Sequence, residues 1–348
     1  MTISSYMLTK SSLIYGQIFH NYGVIFSPEI FPHSAMHCNN LFTIGVHIAY
    51  KEVKVSIHSI SDEGGCRCME QKIAVIIVHG LGTQKKDYAD KFMQKLKETF
   101  SRTSGIPHDQ LAMEAVHWAD VFASREDELI RSSIKPYRLR YQQLRQYVIH
   151  NLADAVAYQP VESEDQNYEA VHRTISEALH RLTLSAGPHA PLCVISHSLG
   201  SVIASNFFYD LQFSSRGHRL VIDPKSPLER GELLTLFYTL GTTLPLWSMR
   251  YRDFDRPIEV PSEQLKNYHH QLLGEWVNFY DADDILAYPL KNVNEEYDRT
   301  VRKDVAVNVG NWLTSWNPLA HSGYFYSKPI LEYIASNLEA TWRGINQL

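Results

Sequence analysis

The sequence predicts an α/β fold, a mostly parallel central sheet with helices on both faces, and three observations carry that prediction. Ile73 to Val78 is an unbroken apolar run, β-branched apart from Ala74, as in a strand buried on both sides of a parallel sheet. Tyr88 to Phe100 sets Phe92, Leu96 and Phe100 four apart among Lys, Asp and Glu, the pattern of an amphipathic helix. The same alternation returns at Tyr168 to Leu184, a helix, and Leu192 to Ile195, a strand. With 348 residues and 44% apolar side chains the chain can enclose a large core.

Taken in order, residues 1–70 read as an N-terminal extension in which charged side chains are sparser than in the rest of the chain. Ile44, Val46, Ile48 and Tyr50, then Val53, Val55 and Ile57, alternate as two strands joined at Lys51-Glu52 would. Translation beginning at Met69, with the upstream piece an over-long gene start, is an equally open reading. Residues 71–348 form the α/β domain. After the first strand and helix, Leu111 to Trp118 reads as the next strand. A polar and basic stretch, about 123–160, follows with recurring Leu, Tyr and Ile; it reads as an inserted helical cap interrupted at Pro136. The helix Tyr168 to Leu184 buries Val171, Ile175, Ala178 and Leu182 and is closed by Gly187-Pro188. Later strands are expected at Leu233 to Leu240, Trp276 to Tyr280 and Asp304 to Val309, and a last helix at Lys328 to Trp342.

Composition sets aside several classes of function. A formal charge of −5, without a block of like charges, gives nucleic acid nothing to bind. No apolar stretch reaches the 18 or so residues of a membrane span, and the N-terminus lacks the cleavage-site pattern of a signal peptide. Four cysteines, Cys38, Cys66, Cys68 and Cys193, suit a reducing cytoplasm better than a disulfide framework. His33, His37, Cys38, Cys66 and Cys68 can be drawn as a zinc cluster. They lack the paired spacings of known zinc sites, so no metal is expected.

Chemistry concentrates at Cys193 to Ser201, "CVISHSLGS". Reactive groups of an open parallel sheet gather beyond the carboxyl ends of its strands. A sharp strand-to-helix turn pushes its middle residue out of the sheet and needs small neighbours two before and two after, here Ser196 and Gly200 around Ser198. Such a turn is expected to leave the Ser198 hydroxyl exposed. The segment resembles the nucleophile elbow of the α/β-hydrolase fold in its lipase and serine-esterase form, with serine at 196 where glycine is usual.

The resemblance implies a base and an acid in the order serine, acid, histidine. Beyond Asp284 the chain has one histidine, His321, in "WNPLAHSGYF" ahead of the last helix, which makes it the candidate base. The segment "WVNFYDADDILAYPL" offers Asp281, Asp283 and Asp284. In similar hydrolases this loop reads Trp-x-Asn-x-Tyr-Asp-x-x-Asp-Pro-Val-Ala. Matching Trp276, Asn278, Tyr280 and Ala287 to it selects Asp284, with Ile285 in place of proline and Asp283 or Asp281 as alternatives. The same likeness implies an oxyanion hole from the backbone amides of Leu81, in "VHGLGTQ", and Leu199. His79 and His197 are expected to support their loops through hydrogen bonds rather than act as the base.

These residues together imply a serine hydrolase cleaving a carboxylic ester, lipid or small acyl, through an acyl-enzyme, with no cofactor. "LFYTLGTTLPLW" resembles the strand and turn flanking the acyl pocket of lipase-like proteins. Tyr137, Leu139, Tyr141, Leu144, Tyr147 and Val148 are expected to line an apolar cover, with Arg131, Lys135, Arg138, Arg140 and Arg145 outside it. Peripheral contact of this helix with anionic lipid is the alternative to a cap packed on its own domain. Two other readings stay open: an acyltransferase using the same triad, and a non-catalytic interaction protein on a hydrolase fold.

Overall fold

A computed structural model describes strands at 43–49 and 52–58 and residues 70–81, 84–137, 154–158, 167–250, 256–309 and 321–346, with isolated positions between 140 and 149. The chain divides into two compact units, Met1–Glu70 and Gln71–Leu348. In the first, β1 (Thr43–Ala49) pairs antiparallel with β2 (Glu52–His58), and Ala49 lies opposite Glu52. The connection therefore falls on residues 50–51, one residue earlier than the alternation suggested, because Glu52 already belongs to the ladder. The zinc ligands drawn from His33, His37, Cys38, Cys66 and Cys68 lie outside the described residues.

In the second unit, β3 (Ile73–Val78), β4 (Leu111–Val116), β5 (Leu192–His197), β6 (Leu234–Leu240), β7 (Glu275–Tyr280) and β8 (Lys303–Ala306) form one sheet in the order β4-β3-β5-β6-β7-β8. Every neighbouring pair is parallel. β4 leaves on one side of β3 and β5 returns on the other, so the strand order reverses at β3 and opens a crevice above the ends of β3 and β5. β3 and β6 are buried at every position, which explains why they read as continuous apolar runs.

Helices cover both faces. Ala74, Ile76, Val78, Leu192 and Val194 pack with α3 (Asn167–Ala186) and α4 (Leu199–Phe213). Ile73, Val75, Ile77, Cys193 and Ile195 pack with α1 (Asp90–Ser104) and α5 (Lys328–Asn346). α1 buries Phe92, Leu96 and Phe100 and ends at Gly105, whose φ of 72° supplies the left-handed cap. Each of those side chains contributes about 1.5–3 kcal/mol by leaving water. α4 is buried almost all round, so its first turn is held rigidly under the crevice.

The stretch read as a cap from about residue 123 opens inside α2 (Asp120–Leu129) and continues through a wide turn, Ile130–Ile134, closed by the Lys135 amide donating to the Ile130 carbonyl at 3.1 Å. The regular helix thus ends before Pro136 rather than at it. Tyr137 and Tyr141 are largely exposed and do not line a cover; Leu139, Leu144, Tyr147 and Val148 lie outside the described residues. Among the described residues no helix is long and apolar enough to cross a membrane.

Candidate active site

Three strand ends supply the site. Ser198 follows β5 with φ 53° and ψ −127°, a backbone region that costs a non-glycine residue roughly 1–3 kcal/mol. The turn is over-determined by its surroundings. The Ser198 amide donates to the Leu240 carbonyl at 3.0 Å, and the Ser201 amide donates back to the Ser198 carbonyl at 3.0 Å. Gly200 admits no side chain, since a Cβ there would stand 2.2 Å from the His79 carbonyl oxygen. Serine is accommodated at 196 because its hydroxyl, fully buried, donates to the Tyr238 carbonyl of β6 at 3.3 Å.

His321, beyond β8, lies with its Nε2 2.8 Å from Ser198 Oγ and its Nδ1 2.7 Å from Asp284 Oδ2. Since Oδ2 can only accept from Nδ1–H, Nε2 is left as acceptor for the serine hydroxyl. Of the three acids only Asp284 turns to His321. Asp281 is buried but turned away from His321: Oδ2 accepts from the Val309 amide beyond β8 at 2.6 Å and Oδ1 from the Asp283 amide of its own loop at 2.9 Å. The Asp283 side chain is exposed.

Two features depart from the sequence reading. Ser198 is fully buried rather than exposed. The turn lifts the hydroxyl out of the sheet, but Gly80 of the β3 loop lies directly against it: a Cβ on Gly80 would come 2.6 Å from Ser198 Cβ. Tyr324, which no motif singled out, donates its hydroxyl to Asp284 Oδ2 at 2.8 Å and accepts the Asp281 amide at 2.9 Å. One of several aromatics in "GYFY", it carries no pattern that would distinguish it. Gly241, at the end of β6 with φ 56°, gives the acid loop its passage across that strand, for a Cβ there would stand 3.2 Å from Asp284 Oδ2.

The supporting histidines are neutral. Burial lowers His79 to about 3; its Nδ1–H donates to the Gly80 carbonyl at 2.8 Å, and Nε2 accepts the Trp118 amide at 3.3 Å. Burial also lowers His197 to about 3, and its Nε2–H donates to the His321 carbonyl at 2.8 Å. Burial pushes the Asp284 carboxyl up, but the hydrogen bonds from His321, the Leu286 amide and the Tyr324 hydroxyl outweigh it and hold the acid below its ordinary range. Burial, followed by the Asp284 charge, raises the Tyr324 phenol, which stays a donor.

Leu199 opens α4 and Leu81 follows His79-Gly80, so their amides belong to the two loops that meet at Ser198. The Leu199 N–H lies in the first helical turn, where no acceptor within the helix is available. Among the described residues no group of three or more His, Cys, Asp or Glu is arranged to hold a metal ion.

No protein-family model and no curated protein matches the chain. Among solved structures it is similar to a putative hydrolase of the alpha/beta superfamily from Xanthomonas campestris pv. campestris, at 10% identity and a TM-score of 0.34 over 78% of this chain and 99% of that one. It is also similar to an esterase of the archaeon Pyrobaculum calidifontis, at 13% identity and a TM-score of 0.37 over 79% and 77%. A third likeness is to an esterase of the fungus Rhizomucor miehei, at 12% identity and a TM-score of 0.35 over 87% and 83%. At such identities and scores, nothing about this chain's chemistry follows from them.

Proposed function

We propose that this chain, whose parallel sheet, strand-to-helix elbow and order of elements are those of the α/β-hydrolase fold, is a serine hydrolase of carboxylic esters acting through an acyl-enzyme. The observation that carries the reading is the continuous relay from Ser198 Oγ through the His321 ring to Asp284 Oδ2, at 2.8 and 2.7 Å. In the first half-reaction Ser198 Oγ bonds to the ester carbonyl carbon while its proton passes to His321 Nε2. The carbonyl π pair moves onto oxygen, and the tetrahedral adduct then collapses, expelling the alcohol with the Nε2 proton. In the second, water gives its proton to Nε2, attacks the acyl carbon and releases the acid, and Ser198 Oγ recovers the proton.

Asp284 accepts Nδ1–H throughout and offsets the charge of the transient imidazolium. The amides of Leu81 and Leu199 take the oxyanion, each lowering the barrier by about 3 kcal/mol, helped by the positive end of α4 at Leu199. An apolar acyl group suits the run from β6 to the short helix Leu244–Trp247. The same reading places the enzyme in the cytoplasm, where Cys193 stays a thiol.

A fluorophosphonate probe and a panel of short- and long-chain esters test the assignment on wild type, Ser198→Ala and His321→Ala. Only the wild type should be labelled, at Ser198, and ester turnover should fall at least about 10⁴-fold in each variant. Unchanged turnover in either variant rejects the mechanism. Product analysis with added alcohol separates hydrolysis from acyl transfer.

A further inference from the structure

Resting on the trio just proposed, we propose that Tyr324 is a positioning residue of the same site, fixing the orientation of Asp284 and moderating how strongly that carboxylate draws the His321 proton.

The geometry converges on one oxygen. Asp284 Oδ2 accepts the His321 Nδ1–H at 2.7 Å and the Tyr324 hydroxyl at 2.8 Å, while Oδ1 accepts the Leu286 amide at 3.0 Å. The Tyr324 oxygen also accepts the Asp281 amide at 2.9 Å, so one hydroxyl ties the start of the acid loop to the carboxylate itself. His321 and Tyr324 lie three residues apart, and Tyr324 opens a tight turn, Tyr324–Tyr326. Asp284 is therefore held by two donors from one short segment.

The ring has little room to swing. It is fully buried, and even a Cβ on Gly241 would stand 2.6 Å from its Cε2. A carboxylate oxygen shared between two donors is a weaker acceptor for each of them. Deleting the hydroxyl should concentrate the negative charge of Oδ2 on the His321 N–H. The imidazole would then hold a proton more tightly, and the carboxylate would be less well aimed.

Tyr324→Phe keeps the ring and removes only the hydroxyl. The expected result is a kcat about tenfold lower with KM within about twofold, since Tyr324 is placed against Asp284 and not against substrate. The acid limb of the kcat/KM profile should move upward by roughly half a pH unit, and the low-field His321 Nδ1–H proton resonance should shift. Tyr288→Phe is the control. It removes a hydroxyl from the same loop, bonded to the Ile285 carbonyl at 3.1 Å, and should leave limb and resonance in place.

An acid limb and resonance in Tyr324→Phe that coincide with wild type overturn the proposal, whatever kcat does. So does an equal displacement of both in Tyr288→Phe. The resonance needs no turnover: a wild type inactive on every ester counts against the esterase reading, and the resonance alone then decides the role of Tyr324. Should Tyr324→Phe fail to fold, tyrosine labelled at Cζ decides instead. The Tyr324 signal must differ between wild type and Asp284→Asn, and identical signals reject the coupling.

Discussion

Gly80→Ala tests whether the close approach of the β3 loop to the serine serves the chemistry. The added methyl would lie 2.6 Å from Ser198 Cβ, 3.0 Å from His197 Nδ1 and 3.2 Å from the His197 carbonyl oxygen. The first distance is roughly 0.9–1.4 Å short of ordinary carbon contact. Ser198 cannot yield, because its amide and carbonyl are both engaged and α4 is buried behind it. The displacement must fall on the loop that carries Leu81. Overpacking of this kind costs about 1–3 kcal/mol of stability. Moving the proposed Leu81 oxyanion donor out of reach would cost on the order of 10²–10³ in kcat. Steady-state kinetics on a short-chain ester, with thermal melts alongside, should show both effects. Gly105→Ala is the comparison, with a φ of 72° but nothing within 4 Å of the new methyl; it should lose about 1 kcal/mol of stability and no activity. A Gly80→Ala enzyme with kcat/KM within threefold of wild type would refute the argument.

The acids separate by substitution. Asp284→Asn should reduce kcat about 10⁴-fold through the wrong imidazole tautomer, whereas Asp283→Asn, exposed, should stay within about twofold. Asp281→Asn should lower the unfolding midpoint, because a single amide oxygen cannot serve both the Val309 and Asp283 amides, at about 1–3 kcal/mol; melts and ester kinetics on the three variants decide. Stability should also fall on acidification. His79, His172 and His197 each have a folded value of about 3 against 6.5 in the unfolded chain, so between those limits the unfolded state binds more protons and stability rises with pH. Together they should make the protein on the order of 3 kcal/mol less stable at pH 5.5 than at pH 6.5. Asp284, with its folded value lowered, acts in the same direction at lower pH: its contribution is present above the unfolded carboxyl value and lost as pH falls through the folded one. A calorimetric midpoint independent of pH over this window would contradict the buried-histidine account.

Much of this architecture is legible because its signals are local. Six buried positions in a row cannot be mistaken at Ile73 to Val78, and the strand-to-helix turn is written in the small residues two before and two after Ser198. Chain order leaves only His321 as candidate base, and its ring stands beside Ser198 Oγ. The acid is harder to read because three carboxylates share four positions, and their directions are set by a turn that ties Asp281 to the distant Val309 amide. Tyr324 is illegible for a similar reason: its partners lie 40 and 43 residues away and leave no mark on its neighbours. The burial of Ser198 is not inferable from the turn either, because what covers it is Gly80, contributed by another strand.

The lacing of α5 to β3 bears on what a shortened chain would lose. The Gln71 amide donates to Asn346 Oδ1 at 2.8 Å, and Asn346 Nδ2 donates to the Gln71 carbonyl at 3.1 Å, so the last helix is stitched to the residues that open the domain. His321 stands just upstream of that helix. On the proposed reading, a chain cut ahead of residue 321 keeps its serine and its carboxylate but not its imidazole. It would also lack the helix that Gln71 holds, so such a product should be both inert on esters and unsupported at the start of β3.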